Sequence, residues 1–243
     1  MLSVRVIPCL LLRNEGLVKT IKFSQPKYVG DAINIVRIFN DKEVDEIIFL
    51  DIFASAQKKE PAFRFLKHIA TECFMPFTYG GGVHHIKHAH QLYGLGVEKI
   101  AMNSAALTNP KLISEIATIY GSQAVVAAID VKKNLFGQYR VYQHVQGKLT
   151  SMLPVEYARQ VVNAGAGEIL LTSVDQDGVM NGYDVKLIKQ IASGVDIPVI
   201  ACGGAGTTQD FVKAVNDGGA SAVATGSMVV YQGKNRSVLT NFP

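Results

Sequence analysis

The sequence has little of what marks several classes of protein. It contains no tryptophan, 8 prolines and only 3 cysteines among its 243 residues. Cys9, Cys73 and Cys202 lie far apart and include no CxxC pair, which argues against a disulfide framework and indicates a reduced, cytoplasmic protein. Because no segment rich in proline, glycine or serine divides the chain, we expect a single domain over residues 1–243.

A dominant charge sign and long hydrophobic runs are missing as well. The formal net charge is +4 and the basic residues are scattered, which disfavours a nucleic-acid partner but suits an anionic small molecule. No apolar run approaches the roughly 20 residues of a membrane span. The opening segment MLSVRVIPCLLL carries Arg5 inside its apolar run, so we interpret it as a first strand and expect neither a signal peptide nor a membrane partner.

Two glycine-rich segments repeat one pattern of proline, short apolar strand and glycines. They are MPFTYGGGV at Met75–Val83 and IPVIACGGAGT at Ile197–Thr207, and Gly203 lies 123 positions after Gly80. Gly226-Ser227 follows Asn103-Ser104 by the same 123 positions. Two unrelated glycine turns would not share this register. The spacing therefore predicts a half of about 120 residues that occurs twice, each copy ending in backbone N–H groups that cradle a phosphate.

Short apolar runs alternate with amphipathic stretches along the whole chain. This alternation predicts parallel strands with helical crossovers, and eight strands favour a closed (β/α)8 TIM barrel of two similar half-barrels over an open sheet. Only a short polar tail follows Ser227, so the last helix should be abbreviated. The predicted strands are Val4–Leu12, Glu46–Ile52, Phe77–Tyr79, Lys99–Met102, Ala124–Val131, Glu168–Thr172, Val199–Cys202 and Ala222–Ala224, and the predicted helices include Gly30–Asn40, Ala62–Cys73, Lys111–Tyr120, Val155–Ala164, Val185–Ala192 and Gln209–Asp217.

Two connections are unusually long. Arg13–Val29 is polar and follows the first strand, on the face where barrel enzymes carry their chemistry, and we expect it to be a mobile lid. Lys132–Met152 contains the alternating stretch YRVYQHV and a turn at Gln146-Gly147, which predicts a small hairpin inserted after the fifth strand.

Alternation along the strands assigns the residues that point into the barrel. It places Leu11, Asn103, Asp130 and Thr172 at the inward C-terminal ends, and Arg5, Glu46, Lys99 and Glu168 at the inward N-terminal ends. The four charged residues could be an ion-paired plug that closes the floor of the barrel. They could also be a gated opening for a small neutral molecule delivered by a partner docked beneath. Parity alone does not separate these alternatives.

Asp130 is the clearest candidate for general acid/base chemistry, because it is a carboxylate at the C-terminal end of a barrel strand. Asp51, Asp175 and Asp177 should lie near the same rim, although the DQDG stretch is equally typical of a turn, and Asp51 should lie just past the inward positions, orienting its neighbours. We expect no metal.

The histidine-rich stretch after the first glycine cluster is not predicted to bind a metal ion. His84 and His88 have the i, i+4 spacing of a metal pair, but no carboxylate accompanies them as in the HExxH pattern. We expect them on the solvated face of an outer helix.

Several segments resemble the family of the cyclase subunit of imidazole glycerol phosphate synthase, from histidine biosynthesis. They are EIIFLDIFAS, FTYGGGV, KIAMNSAA, GSQAVVAAID, AGAGEILLTSVDQDG and IACGGAG, and the resemblance covers nearly the whole chain. It implies a (β/α)8 barrel without a cofactor that holds a bis-phosphorylated, ribonucleotide-like substrate. It further implies a heterodimer with a glutaminase, whose ammonia crosses the barrel axis, cleaves the substrate and closes an imidazole ring.

The resemblance also assigns roles to individual positions. Asp130 matches one of two catalytic aspartates, the four charged floor residues match the ammonia gate, and Gln123 would meet the glutaminase. Lys19, Asp51, Asn103, Thr172 and Asp177 are possible catalytic support, and the phosphate-binding positions are Gly82, Asn103 and Ser104 for one site and Gly203, Gly204, Gly206, Gly226 and Ser227 for the other.

One departure from that pattern matters most. The family's other catalytic aspartate belongs on the first strand in a CLDV-like context, where this sequence has PCLLLRN and therefore Leu11. A leucine offers neither a proton nor a lone pair. Asp51 and Asp177 are the candidates to substitute for it, but neither lies at the inward end of the first strand.

The Leu11 departure leads to three functional hypotheses. The sequence resembles a divergent branch found with surface-polysaccharide genes, which implies ammonia delivery for sugar amidation, with a sugar amidotransferase as a further partner. The alternatives are a working cyclase of histidine biosynthesis, which makes imidazole glycerol phosphate and an aminoimidazole carboxamide ribonucleotide, and a non-catalytic scaffold that activates a glutaminase.

Overall fold

The computed structural model describes residues 4–232 and 237–238. Its strands are β1 (Arg5–Arg13), β2 (Gly16–Ile21), β3 (Ser24–Asp31), β4 (Ile47–Asp51), β5 (Phe77–Gly80), β6 (Lys99–Met102), β7 (Val125–Lys133), β8 (Tyr139–Gln143), β9 (Lys148–Leu149), β10 (Glu168–Ser173), β11 (Val199–Cys202), β12 (Ala222–Thr225), β13 (Tyr231–Gln232) and β14 (Ser237–Val238). The α-helices are α1 (Ala32–Asp41), α2 (Phe63–Glu72), α3 (Ile86–Gly94), α4 (Ser104–Thr108), α5 (Lys111–Tyr120), α6 (Pro154–Asn163), α7 (Val185–Ala192), α8 (Thr208–Asn216) and α9 (Ser227–Val230).

Eight parallel strands close into a barrel in the order β1, β4, β5, β6, β7, β10, β11 and β12. The ring is completed where β12 pairs with β1, and the pairing of β7 with β10 sets Asp130 opposite Thr172. The predicted closed (β/α)8 barrel is confirmed, and every predicted strand or helix end lies within two residues of the observed one.

The barrel strands bury two distinct sets of side chains. Outward residues such as Phe49 and Ile129 pack against the surrounding helices in one large cluster. Inward residues form a smaller cluster along the barrel axis, in which four alanines and Cys9 alternate with larger aliphatic side chains. The inner cluster comprises Ile7, Cys9, Ile48, Ala101, Val126, Ala128, Leu170, Ile200, Ala222 and Ala224. The alternation that the sequence predicts is therefore present.

The long connection after β1, predicted to be a mobile lid, folds as two paired strands, and its mobility stays a prediction. It forms the lid hairpin, β2 and β3, which continues the barrel sheet because β2 pairs antiparallel with the end of β1 at Leu11↔Val18. Leu17, Val18 and Val29 are buried by this arrangement. Burial of these three apolar side chains stabilises the hairpin, although the segment as a whole is polar in composition.

The second long connection forms the predicted hairpin. β7 extends past the barrel to Lys133 and pairs with β8, which in turn pairs with β9. The turn at its far end is a 3-10 helix at His144–Gln146, and Gly147 closes it with a positive φ of 62°.

The last helix before the tail is short, as expected. α9 has four residues, and β13 follows it directly and pairs with β14. The rest of the predicted polar tail, residues 233–236 and 239–243, lies outside the described residues. Over the described part of the chain, no helix combines the length and hydropathy needed to cross a membrane.

Candidate active site

A cavity opens at the C-terminal ends of the barrel strands, beneath the lid hairpin. Its wall includes Leu11, Asn103, Asp130 and Thr172, the four residues that strand parity places at this end. Both glycine clusters also reach the same cavity. The fold thus brings together segments that are more than 120 residues apart in the chain, as expected for a barrel whose chemistry lies at this face.

Asp130 is buried in this cavity with a strongly perturbed carboxyl group. Burial, and to a smaller extent the charge of Asp177, raise the pKa of Asp130 to about 7, while a hydrogen bond from Asn103 acts in the opposite direction. The Asn103 side-chain Nδ2 donates to Asp130 Oδ2 at 3.1 Å and to the Ala128 carbonyl at 2.9 Å. A carboxyl group that is partly protonated near neutral pH can both donate and accept a proton.

Leu11 lies in the cavity wall, where its side chain is 9% exposed. It pairs with Leu50 of β4 on one side and with Val18 of the lid hairpin on the other. At this position β1 therefore contributes an apolar surface to the cavity.

The two aspartates that might substitute are already engaged by the backbone. Asp51 Oδ1 accepts hydrogen bonds from the N–H groups of Phe53 and Ala54, both at 3.0 Å, so it shapes the turn after β4 as expected. Asp177 Oδ2 accepts from the Thr20 hydroxyl at 2.7 Å and from the Phe23 N–H at 3.2 Å. Each carboxylate lines the cavity but holds a loop.

Asp175 supports the turn interpretation of the DQDG stretch. Its Oδ2 accepts the Lys133 N–H at 2.9 Å and thereby fastens the end of β7 to the loop after β10. It is not among the residues that line the cavity.

Lys19 and Thr172, both predicted as catalytic support, reach the cavity from different walls. Lys19 is 7% exposed, and its ammonium lies so close to Gly226 that a Cβ at that glycine would overlap it. Thr172 hydrogen-bonds to Cys202, and that bond, together with a stronger one from Cys9, lowers the pKa of the Cys202 thiol. Of these two residues Lys19 is the cation, and its ammonium lies beside Gly226, one of the predicted phosphate-binding positions.

The two glycine clusters have matching backbone geometry. Asn103, with φ −113° and ψ −80°, and Gly226, with φ −119° and ψ −70°, have nearly the same dihedral angles and precede short helices that begin at Ser104 and Ser227. Gly81 and Gly204, also 123 positions apart, have φ of 127° and 119°, values that favour glycine. The repeat seen in the sequence is present in the backbone conformation.

Two predicted phosphate positions have N–H groups that are already occupied. The Gly206 N–H donates to Asp210 Oδ2 at 3.0 Å, and Gly206 is not part of the cavity wall. Gly82 does line the cavity, but its N–H donates to the Ser55 hydroxyl at 3.2 Å. The other predicted phosphate positions all line the cavity: Asn103, Ser104, Gly203, Gly204, Gly226 and Ser227.

At the opposite end of the barrel, four charged side chains form the floor ring: Arg5, Glu46, Lys99 and Glu168. Arg5 donates to Glu46 at 2.6 Å and to Glu168 at 2.7 Å, and Lys99 reaches the same two carboxylates at 3.2 and 3.1 Å. The Thr78 hydroxyl donates a further bond to Glu46 at 3.0 Å. Burial opposes the charge of Arg5, but the two carboxylates outweigh it and raise its pKa. The ring is closed in this structure.

Gln123 lies at the same end of the barrel, in the 3-10 turn that precedes β7. Its side chain is exposed, and its Nε2 donates to the Tyr120 carbonyl at 3.1 Å. The position is therefore on the surface next to the barrel floor.

Of the two histidines expected at the solvent, His84 is exposed and His88 is not. His88 is buried, packs edge-on against the His84 ring at 4.6 Å between centroids, and lies 3.5 Å from Glu60. Burial is the main cause that lowers the pKa of His88. The expectation was wrong for His88 because the first turn of α3 packs inward against Phe63.

Sequence reasoning missed several residues that line the cavity: Thr20, Phe23, Ser55 and His144. The ring of Phe23, at the tip of the lid hairpin, meets the His144 ring edge-on at 5.4 Å. Only the relative placement of two distant hairpins brings these rings together, and no local pattern signals it.

Comparison with known proteins gives one matching family model and several similar chains. The family model described as histidine biosynthesis protein matches residues 5–236. A Pseudomonas aeruginosa protein, a candidate imidazole glycerol phosphate synthase subunit hisF2, is 49% identical over 243 residues, which cover all of this chain and 97% of that protein. A candidate HisF subunit of Leptospira interrogans is 46% identical over 244 residues, covering 100% of this chain and 96% of that protein. Imidazole glycerol phosphate synthase subunit HisF of Alkaliphilus metalliredigens is 42% identical over 231 residues, covering 95% of this chain and 92% of that protein.

Proposed function

The chain belongs to the histidine biosynthesis protein family, and we propose that it is a cyclase-subunit-like protein specialised for ammonia delivery. In this proposal a glutaminase partner supplies the ammonia, and the acceptor is a sugar that is amidated during surface-polysaccharide biosynthesis. The single observation that carries the proposal is that Leu11 forms an apolar part of the wall of a cavity that is also lined by Asp130 and both glycine clusters.

We infer that ring closure is lost because Asp130 has no second carboxylate to act with it in the cavity. Two carboxylates in complementary roles allow one group to donate a proton while the other accepts one. Leu11 can do neither, and Asp51 and Asp177 are engaged by backbone N–H groups. Removing one member of such a pair lowers rates by orders of magnitude.

The barrel axis supports passage of a neutral nitrogen nucleophile. Above the floor ring the axis is lined by small and apolar side chains, including Ala101, Ala128 and Ala222. Such a lining favours ammonia over ammonium, because moving an unpaired charge into an apolar interior is very costly. In this proposal Lys99 opens the ring by leaving Glu46 and Glu168, which stay paired to Arg5, and Gln123 belongs to the face that meets the glutaminase.

The glycine clusters and Lys19 support binding of a phosphorylated ligand. Gly203, Gly204 and Gly226 line the same cavity as Lys19, and backbone N–H groups of such glycines can stabilise anions. A scaffold that only activates a glutaminase would not need this arrangement.

A second candidate function is retained, because one observation favours it. The pKa of Asp130, raised to about 7, suits a general acid/base, so a slow cyclase of histidine biosynthesis is the alternative. Deleting the gene in its host separates the two. The proposal predicts unchanged growth without histidine and loss of an amidated sugar from the surface polysaccharide. Histidine auxotrophy with an intact polysaccharide would overturn it.

A further inference from the structure

Asp177 fastens the lid hairpin to the opposite wall of the cavity through three hydrogen bonds. Its Oδ2 accepts the Thr20 hydroxyl at 2.7 Å and the Phe23 N–H at 3.2 Å. Its backbone carbonyl accepts the Lys22 N–H at 2.9 Å. Both Thr20 and Asp177 are buried, so the side-chain bond is shielded from competing water. We propose that Thr20 and Asp177 form a latch that holds the lid hairpin closed and controls exchange at the cavity, with Asp177 as a positioning residue.

The tip of the lid hairpin is strained, so its closed form depends on bonds from outside the hairpin. Lys22 and Phe23 have consecutive positive φ values of 52° and 59°. A two-residue turn of this kind favours Asn-Gly, because glycine adopts the left-handed region without steric cost. Here two side chains with Cβ atoms occupy it, and both of their N–H groups donate to Asp177. Loss of the latch therefore leaves a conformation that the turn sequence does not favour on its own.

The neighbouring backbone is shaped for close approach of the latch. Gly178 has a φ of 68°, and a Cβ at that position would overlap the Thr20 carbonyl. The glycine of the DQDG stretch is thus required where the lid meets the loop after β10. Close packing between two segments more than 150 residues apart in the chain therefore explains why position 178 is a glycine.

Closure of the latch determines what the lid presents to the cavity. Lys19 precedes Thr20 directly, and with the lid closed its ammonium lies against Gly226. Opening the hairpin would withdraw this cation from the second glycine cluster and admit water to Asp130. Asp177 therefore acts on the site indirectly, through the placement of Lys19 and through its own charge, which raises the pKa of Asp130.

The inference deepens the proposed function by naming the element that controls the same site, but its test does not depend on which reaction occurs there. Hydrogen exchange of the ligand-free protein is measured for the amides of Lys22 and Phe23 in wild type, Thr20→Val and Thr20→Ser. Valine keeps the β-branched shape without the hydroxyl, and serine keeps the hydroxyl. We expect exchange at least ten-fold faster in Thr20→Val, near-wild-type rates in Thr20→Ser, and no change in β10 in either variant.

A second readout distinguishes positioning from a purely structural role. Carboxyl NMR reports the titration of Asp130 in the same variants. Thr20→Val should lower the pKa of Asp130 toward its ordinary range, Thr20→Ser should restore it, and Asp177→Asn should lower it further because the neighbouring charge is also removed. Equal exchange in Thr20→Val and wild type, equal behaviour of the valine and serine variants, or unprotected lid amides in wild type would each overturn the latch.

Discussion

The Asn103 side-chain amide donates a hydrogen bond to Oδ2 of Asp130 across 3.1 Å. The same Nδ2 also donates to the Ala128 carbonyl, so the amide is oriented by the barrel wall. This bond favours the ionised carboxylate, yet burial and Asp177 outweigh it and raise the pKa of Asp130 to about 7. The carboxyl group is therefore kept in place while its proton affinity remains high.

The raised pKa of Asp130 predicts a specific dependence of stability on pH. The folded protein retains the proton up to about pH 7, whereas the unfolded chain loses it near pH 4. The contribution of this carboxyl group to the free energy of unfolding is therefore largest below about pH 4, decreases as the pH rises toward 7, and does not change further above pH 7. Compared with wild type, Asp130→Asn should gain unfolding free energy over this window, by on the order of 4 kcal/mol at pH 8. Urea unfolding of both proteins at pH 5 and pH 8 measures it, and an equal difference at the two pH values would contradict it.

The predicted phosphate site that includes Gly226 should bind anions more weakly when this glycine is replaced by a residue with a side chain. A Cβ there would overlap the Lys19 ammonium and lie 2.9 Å from the Cys9 carbonyl, so Gly226→Ala should weaken binding of inorganic phosphate at least ten-fold, or about 1.4 kcal/mol. Gly94→Ala is the matched control, because no atom lies within 4 Å of its Cβ position. Titration followed by phosphorus NMR measures both, and equal affinities in the two variants would refute the assignment.

The floor ring should control the entry of glutamine-derived ammonia into the barrel. Lys99→Met removes one cation but leaves Glu46 and Glu168 paired to Arg5. We expect the variant to lose most glutamine-dependent amidation while activity with free ammonium stays within about two-fold, since a two-fold change corresponds to roughly 0.4 kcal/mol. Lys99→Arg preserves the charge as a control. Equal loss with both nitrogen sources would mean that the ring is a structural plug.

Leu11→Asp should add a carboxylate at the inward end of β1, on the wall of the cavity. The new side chain would replace Leu11, which is only 9% exposed. Its buried charge should raise the pKa of Asp130 further and lower the free energy of unfolding by a few kcal/mol. We expect this variant to turn over the bis-phosphate intermediate of histidine biosynthesis at least 100-fold above the detection limit, which wild type should not exceed, with Leu11→Asn as the uncharged control. Equal turnover in the aspartate and asparagine variants would show that the missing carboxylate is not the cause.

The barrel and its inward residues could be predicted because their signals are local. Strand alternation fixes which side chains share a face, and it correctly placed Leu11, Asp130 and Thr172 in one cavity. The predicted charged floor is likewise a contiguous ring. The engagement of the Gly206 N–H also had a local signal, since Asp210, the third residue after Thr207 in a capping box, accepts that N–H.

Other features depend on contacts between distant segments and have no local signature. Lys22-Phe23 is not a turn sequence that predicts a hairpin, and its conformation is stabilised by Asp177. The engagement of Asp177 is likewise invisible in DQDG alone. His88 was assigned to solvent from its polarity, although α3 buries it against Phe63.

The most direct test of the central claim is turnover by the purified wild-type protein without any glutaminase. The bis-phosphate intermediate of histidine biosynthesis is supplied with excess ammonium at alkaline pH, and formation of imidazole glycerol phosphate is followed. Because the proposal leaves Leu11 unable to serve as the second acid/base group, we expect the intermediate to bind but not to be turned over. Turnover near that of an ordinary cyclase subunit would contradict it and make this protein a cyclase of histidine biosynthesis.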